Sequence, residues 1–580
     1  MRKFSQIFPV LIFYLLSLIV HQNVYSQSEG TVSTELIIIN CDRDVYIAGE
    51  ELVFSLNLIN GKVNVGNSSH IAYVVLRNEA QNVVLHISTI IENGIGWSSI
   101  YLPDTLSTGY YQLVAFTNFM RNFGEDAYAT KQLIVANRFD NYFSNLHRDG
   151  GESDSSKRSL SDKSNSLVSI ELNKGAFAIH EKVKLTVKPN STSSISNFSI
   201  SIVPKYAVCN DVDKGIIRET HIETIQFDQS KELYLKEVDG IYLSGSILDG
   251  ISGKAIEGAR LFLSTPDSLV NLKYTHSNAL GRFHFHLPHI FQGRKVFVIP
   301  DTSTFIGDPK VILENKIELK RPFQPKIVKI TDELIDYLKY SQSIVRIQKS
   351  YNLKYFSFEP LNMVANQGLP RVFSDPKFRI KLSEYESLND FQEISRELIP
   401  YIRVRRRGND YSVRMLNGQS SYTFFSSSPA IFLNGVPIGS IDKIKGYGSK
   451  ELERIEIVNL PWRYGELLFS GILTVFLKPD IPIEPHLPSF TAIHHLDLLA
   501  DHAVYKPQFN SNEEVTISAK PDFRQVLYWN PCSKANSNEP FEDVLYTGHL
   551  YGEYIVVVTG ITDEGQCFSE VKLFEVKKIN

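Results

Sequence analysis

Three stretches of this chain open on glutamate and then place apolar residues at every second position. They are Glu50-Glu51-Leu52-Val53-Phe54-Ser55-Leu56, Glu181-Lys182-Val183-Lys184-Leu185-Thr186-Val187 and Glu513-Glu514-Val515-Thr516-Ile517-Ser518-Ala519. A period of two puts neighbouring side chains on opposite faces, so each stretch predicts a half-buried strand. The first and third copies are followed by similar later strands, Gly109 to Thr117 and Gly552 to Thr559. We therefore expect three related β-sandwiches, at about 30–140, 165–238 and 485–580. The rival explanation is that any β-sandwich alternates in this way.

Composition narrows the class. The 580 residues suffice for four or five domains of ordinary size. Lys+Arg 60 against Asp+Glu 64 leaves a net charge of −4, which argues against a nucleic-acid binder. Tyr 28 and Phe 35 beside Met 4 favour strands. The N-terminus reads as a signal peptide over residues 1–26: Arg2-Lys3, an apolar core from Phe8 to Val20, and small residues at Val24-Tyr25-Ser26. That core is short for a membrane span, so cleavage before Gln27 is expected and a retained anchor is the lesser alternative. The mature chain is then exported, and soluble or peripherally attached to a membrane. Residues 147 to 166 hold almost no apolar side chains and cannot bury enough surface to fold, so a flexible linker is drawn over 141–166.

Within the first sandwich, Asp44 to Glu50 makes a turn and Leu52, Phe54, Leu56 and Leu58 alternate along the next strand. Strands follow at Ile71 to Leu76, Val83 to Ile87, Gly109 to Phe116 and Lys131 to Ala136. The turn Val45-Tyr46-Ile47-Ala48-Gly49-Glu50 resembles that of macroglobulin-type immunoglobulin-like domains, and Thr117 to Gly124 resembles a phrase of Bacteroidetes cell-envelope proteins that carry such domains. Residues 239 to 322 resemble the carboxypeptidase regulatory-like domain through Leu243-Ser244-Gly245-Ser246-Ile247, Gly253 to Ala259 and Asn278-Ala279-Leu280-Gly281-Arg282-Phe283. That resemblance implies a small β-sandwich without peptidase chemistry.

Helix is expected next. Thr331 can cap a helix with Asp332 and Glu333 in its first turn and Leu334, Tyr337, Leu338, Ile344 and Val345 on one face. A second helix is expected from about Ser387, with Asp390 in capping-box spacing and Leu388, Phe391, Ile394 and Leu398 as its stripe. It leads to a strand at Tyr401 to Arg405.

Asn434-Gly435 then lies between Ile431-Phe432-Leu433 and Val436-Pro437-Ile438, the strongest short-range signal for a tight hairpin. Leu452 to Val458 reads as a helical turn running into a strand, Arg463-Tyr464-Gly465 as a loop, and Gly471 to Lys478 as a strand. In this order, Leu433 to Ile438, Leu452 to Ile457, Pro461 with Tyr464-Gly465, and Ser470 to Val475 resemble the plug domain of TonB-dependent outer-membrane receptors. Leu460-Pro461 stands where that family has Gly-Pro, and Ser470-Gly471 where it has Gly-Gly. The hundred or so residues after Lys478 are too few for the receptor's barrel, so no transmembrane barrel is expected.

The predicted fold class is mainly β: several Ig-like sandwiches in tandem plus one α/β plug-like domain. The expected order is signal peptide 1–26, macroglobulin-type domain 27–140, linker 141–166, second Ig-like domain 167–238, regulatory-like sandwich 239–322, helical linker with plug-like domain 323–480, and C-terminal Ig-like domain 485–580.

The sequence contains no His-Glu-x-x-His, no Gly-x-Ser-x-Gly and no phosphate-cradling loop, so no enzyme activity and no cofactor are expected. His284 and His286 share a strand face, but two ligands leave a zinc site half empty, and Phe283 and Phe285 are expected to face the core instead. His494 and His495 would point to opposite faces. Arg403, Arg405, Arg406 and Arg407 read as a solvated strand end, with lipid phosphate or an acidic partner as the alternative. Of Cys41, Cys209, Cys532 and Cys567, the pair Cys532 and Cys567 falls in one expected domain and is the candidate disulfide, free buried thiols being the alternative. Trp462, Arg463 and Tyr464 are the candidate partner contacts, unless they pack beneath the hairpin. These readings point to a Gram-negative envelope protein, periplasmic or associated with the outer membrane, that binds another protein there. The runner-up is a solitary glycan or peptide binder.

Overall fold

The computed structural model describes residues 32–33, 35–60, 68–140, 143, 146, 167–190, 195–209, 224–225, 234–267, 270–291, 293–353, 356–359, 372–407, 410–419, 423–496, 499–505, 522–536, 538–562 and 566–578. The signal peptide, the body of the linker and the third alternating stretch at Glu513 lie outside them. Contacts divide the chain into two units: residues 1–238, 319–359 and 500–580 form the first, and 239–318 with 360–499 form the second.

In the first unit the glutamates that open the alternating stretches have a common task. The Glu50 carboxylate accepts from the Ile47 backbone N–H at 2.7 Å, and the Glu181 carboxylate accepts from that of Ala178 at 2.7 Å. Between donor and acceptor the chain passes through positive φ, at Gly49 (+99°) and His180 (+59°). The acceptor satisfies a backbone donor at a tight reversal, where no ladder partner is available. Each turn joins a short second strand to a long third one.

Two eight-stranded sandwiches are built on this device. The strands of the first are Glu35–Cys41, Val45–Ile47, Glu51–Asn60, Ile71–Asn78, Val83–Ile90, Ile95–Tyr101, Gly109–Phe116 and Ala129–Ala136. One sheet runs first, third, sixth; the other runs second, eighth, seventh, fourth, fifth. The strands of the second sandwich are Val168–Leu172, Ala176–Ala178, Lys182–Pro189, Ile195–Pro204, Tyr528–Ala535, Phe541–Tyr546, Gly552–Ile561 and Cys567–Lys577. Its two sheets repeat both strand orders. In each sandwich the second strand pairs in parallel with the eighth, Val45 with Ile134 and Ala176 with Glu575. The third residue of each seventh strand is a tyrosine whose hydroxyl donates to a carbonyl four residues back, Tyr111 to Ser107 at 2.8 Å and Tyr554 to Leu550 at 3.2 Å. That is the tyrosine corner of Ig-like sandwiches.

This corrects the expected domain plan. Residues 167–238 and 485–580 are not two sandwiches. The strands of the first half pair with those of the second, Ser201 with Trp529 and Ile200 with Val558. Phe177, Leu185 and Phe198 share a core with Leu527, Tyr554 and Phe574. Four strands expose too much of their apolar face to fold alone, and the late segment supplies the covering strands.

The helix Asp332–Ser350 (α1) begins as expected, the Thr331 hydroxyl accepting from the Leu334 N–H at 3.3 Å. It belongs to the first unit rather than to a plug-like domain beginning at residue 323: Leu334, Leu338 and Val345 pack with Val45, Ile47, Tyr110 and Ile134. Phe143 and Leu146 are buried in the same cluster, so the linker starts later than residue 141.

The second unit holds a sandwich and a mixed sheet. In the sandwich, Gly240–Asp249 lies between Arg282–Pro288 and Pro309–Leu313, opposite a sheet ordered Lys273–His276, Arg260–Ser264, Lys295–Pro300, Ala492–His495. Its last strand comes from the segment assigned to the C-terminal domain, because Ala492 to His495 supply the free edge of Lys295–Pro300 with hydrogen-bond partners. The mixed sheet is ordered Phe378–Lys381, Leu452–Tyr464, Leu467–Leu477, Ala430–Leu433, Val436–Pro437. Asn434 and Gly435 both have positive φ, +47° and +84°, as their hairpin requires. Leu452 to Val458 is strand throughout and contains no helical turn, and the strand continues to Tyr464 through the stretch expected as a loop. Cross-strand pairing with Leu467–Leu477 explains both differences. The second helix (α2) is Phe391–Glu397, starting later than Ser387, because Asp390 is itself the N-cap and accepts from the Glu393 N–H at 2.7 Å. No described helix is long and apolar enough to cross a membrane.

Candidate binding sites

The turn before the third strand of the first sandwich concentrates charge in the interior. Asp42 and Arg43 are almost wholly buried. The Tyr46 hydroxyl donates to Asp42 at 2.5 Å, and the Arg43 guanidinium lies 3.1 Å from Glu50. Asp44 is paired with Lys131 at 2.8 Å. Burial pushes the Asp42 carboxyl up to about 6, against the opposing pull of Arg43 and Tyr46. Burial also raises Glu50, again against Arg43.

This cluster forms one wall of a cleft of about 370 Å³ in the first unit. Arg43, Glu50, Glu51, Tyr101, Lys349 and Gln525 are among its lining residues. Three of them are held by neighbours. Lys349 reaches Asp104 at 2.7 Å, Gln525 accepts from the Tyr337 hydroxyl at 3.0 Å, and Glu51 accepts from the Ser99 hydroxyl at 2.9 Å. Arg43 Nε, 3.8 Å from Asp42 Oδ2, and Gln525 Nε2 are buried with no hydrogen-bond partner among the described residues. An unmet buried donor costs about 1–3 kcal/mol, and these two atoms present almost no surface for a ligand to reach. Glu51 faces Tyr101 across the ladder and has no ion pair among the described residues, and burial raises its carboxyl. Among the described lining residues no nucleophile is paired with a base.

The expected partner contacts divide. On the strand Leu452–Tyr464, Trp462 and Tyr464 share one face and are half-buried, while Arg463 points the other way and is exposed. Trp462 meets Phe373 edge-on at 6.3 Å between ring centroids, and Tyr464 meets Tyr274 at 5.8 Å. Both belong to an apolar cluster around Phe432, Val458 and Leu467. Trp462 and Tyr464 thus pack within the second unit, leaving Arg463 as the exposed member of the three.

The cysteine pairing is corrected. No disulfide joins Cys532 to Cys567. Cys532 lies on the fifth strand of the second sandwich and Cys567 on the eighth, with the fourth and seventh between them. Three strand spacings amount to about 14 Å, far beyond the reach of a disulfide. Burial raises both thiols, Cys567 to about 12.

Phe283 and Phe285 are buried, while His284 and His286 lie on the opposite face beside Tyr242. His494 and His495 lie on the edge strand Ala492–His495. Arg403, Arg405, Arg406 and Arg407 lie on the hairpin strand Ile402–Arg407, with Arg403 over the Phe424 ring. Among the described residues no cluster of three or more His, Cys, Asp or Glu is placed to hold a metal.

No family model matches this chain, and no curated protein does. Solved structures do. A Salmonella α2-macroglobulin reacted with methylamine aligns over 95% of this chain and 40% of its own, at 10% identity and a TM-score of 0.24. The native α2-macroglobulin of E. coli gives the same coverage and identity with a TM-score of 0.23. The D0-D1 domain of intimin aligns over 48% of this chain and 98% of its own, at 10% identity and a TM-score of 0.14. The chain thus spans 40% of the length of the macroglobulins it matches. With scores this low, the description of tandem sandwiches rests on the strand orders above.

The cleft escaped sequence reading. Its lining comes from residues 43–51, 101, 345–353 with Phe356, and 524–526, and no local pattern announces that these segments meet. The one local signal was the Glu50-Glu51 doublet, which alternation explains only as a strand start.

Proposed function

We propose that this is a non-enzymatic, exported envelope protein that mediates protein–protein interaction at the outer membrane, as an accessory of a TonB-dependent transport or secretion assembly. The observation that carries this reading is the insertion of the second unit into a sandwich pair. Two sandwiches with the same Glu-closed turn and tyrosine corner make a scaffold. Between the fourth and fifth strands of the second, the chain carries a further sandwich and a sheet built on the Asn434-Gly435 hairpin. The first pair supports the macroglobulin-type resemblance, the inserted sandwich the regulatory-like one, and the hairpin sheet the plug-like one. Crosslinking in native envelopes followed by capture of this chain tests the reading. A barrel-forming outer-membrane protein should be recovered; recovery of no protein above background would sink it.

The cleft favours a second reading, a solitary binder of a glycan or peptide. Its volume suits a few sugar or amino-acid units, and its lining sets the ring of Tyr101 beside the charged Glu51 and Lys349. A panel of oligosaccharides and short peptides should then raise the melting temperature of the intact chain, and Tyr101→Ala, at an exposed lining residue, should reduce the rise. A flat response across the panel removes this alternative.

A further inference from the structure

Solvent-facing turns normally carry Gly, Pro, Asn, Asp and Ser, because these residues adopt turn conformations at little cost. One end of the second unit departs from that rule. Ile306 is 99% exposed, Ile251 87%, Leu468 74% and Leu280 60%. Three come from separate loops, the turns around 250–253 and 278–281 and the loop 301–308; Leu468 lies just past the Gly465-Glu466 turn, on the hairpin strand Leu467–Leu477 opposite Arg463.

Backbone and side-chain bonds hold these tips together at that end. The Gly250 N–H donates to the Asp308 carbonyl at 2.6 Å, Ile247 N–H to Gly281 at 2.8 Å, and Asp301 N–H to Arg260 at 2.8 Å. The hairpin is fastened beside them: Glu466 lies 2.9 Å from His276 and 3.5 Å from Arg260, and its N–H donates to the Tyr274 hydroxyl at 3.1 Å.

Charges at this end are arranged in two ways. Asp249 accepts from Ser252 and from the Asp308 N–H, Asp301 pairs with Arg260, and Glu466 pairs with His276. These carboxylates are engaged within the loops, leaving Glu257 and Asp308 as exposed acids. Lys254, Arg282, Lys310 and Arg463 are exposed and form no ion pair among the described residues. Long basic side chains can lay their stems along an apolar surface and lift their heads to phosphate.

We infer that this end of the second unit inserts its four aliphatic tips into the face of an anionic phospholipid bilayer. Separate, exposed side chains suit a fluid phase that closes around each one. A protein surface would need four preformed pockets in register. Removal of apolar area from water drives the contact, and headgroup phosphates meet the exposed bases. The inference stands apart from the partner reading: the tips would meet lipid whether or not a barrel protein is bound.

Vesicle sedimentation of the intact chain tests it, with phosphatidylethanolamine and phosphatidylglycerol at 3:1 and with phosphatidylcholine alone. The variant Ile251→Ser, Leu280→Ser, Ile306→Ser, Leu468→Ser should melt with the unsubstituted protein yet partition about tenfold less or weaker still. Lys254→Gln with Arg282→Gln should weaken binding to the anionic vesicles alone. The apolar stretch Phe8 to Val20 is common to all these proteins, so differences between them report the tips. A local readout comes from Ile306→Trp, whose emission should shift to the blue on vesicles and be quenched by brominated acyl chains. Equal sedimentation of the serine variant overturns the inference. So does unchanged indole emission from the Ile306→Trp variant, or a loss confined to protein capture with vesicle binding intact.

Discussion

Asp42 illustrates how burial changes the sign of a familiar group. An acid whose carboxyl is raised in the folded state binds its proton more tightly there than in the unfolded chain. Its stabilising contribution is full below the ordinary carboxylate range and is lost as pH rises to the folded value, about 6. The window is therefore roughly pH 4 to 6, and the effect reaches at most about 3 kcal/mol. Arg43 and Tyr46 face this carboxyl and moderate the cost, while the neighbouring Glu50 carboxylate adds to it. Asp42→Asn keeps an acceptor for the Tyr46 hydroxyl and removes the titration. Its stability relative to the unsubstituted protein should rise from pH 4 to 6 and level off above, measured by denaturant unfolding at each pH. A difference independent of pH would show that Asp42 does not titrate in this window.

At the scale of elements, the long hairpin Leu452–Leu477 separates packing from display. Trp462 and Tyr464 fill the cluster around Phe373 and Tyr274, so the double change to Ala should cost roughly 2–4 kcal/mol and lower the melting temperature. Arg463→Ala, on the exposed face, should leave melting within error. The outcome that refutes this division is unchanged melting in the double variant. The short helix α2 depends on its cap in a similar way. Asp390 accepts from the Glu393 N–H while the Glu393 carboxylate accepts from the Asn389 N–H at 2.7 Å. Asp390→Ala should cost about 1 kcal/mol, seen as a lower denaturant midpoint, and Asp390→Asn much less.

At the scale of the molecule, the governing feature is a turn replaced by most of the chain. In the first sandwich the fourth and fifth strands are joined by the short turn 79–82; in the second, residues 205–527 stand in its place. Closing even a flexible loop of that size costs only about 4 kcal/mol more than a short one, because the entropy grows with the logarithm of length. Sheet pairing and the shared core offset it. Deletion of residues 522–580 should therefore unfold residues 167–190 and 195–204, which lie in the same sandwich, and leave the first sandwich protected. Hydrogen exchange read by mass spectrometry distinguishes the two. Continued protection of 182–190 and 195–204 in the truncated chain would contradict a shared core.

The sequence by itself determined the local features. Alternation located the strands after Glu50 and Glu181, Asn434-Gly435 marked its hairpin, Thr331 marked the start of α1, and Phe283 with Phe285 marked a core face. Each depends on residues a few positions apart, where steric preference and period decide. Helix against strand at Leu452 was less legible, since a short apolar run suits both until a partner strand is present. Only the tertiary structure decided which half-sandwiches complete one another, where α1 packs, that Cys532 and Cys567 lie strands apart, and that Trp462 and Tyr464 turn inward. It alone brings residues 43–51, 101, 345–353 with Phe356, and 524–526 around one cleft. The physical reason is common to these cases. Burial of an apolar face is non-directional, so a pattern states that a strand needs a cover but not which distant strand supplies it.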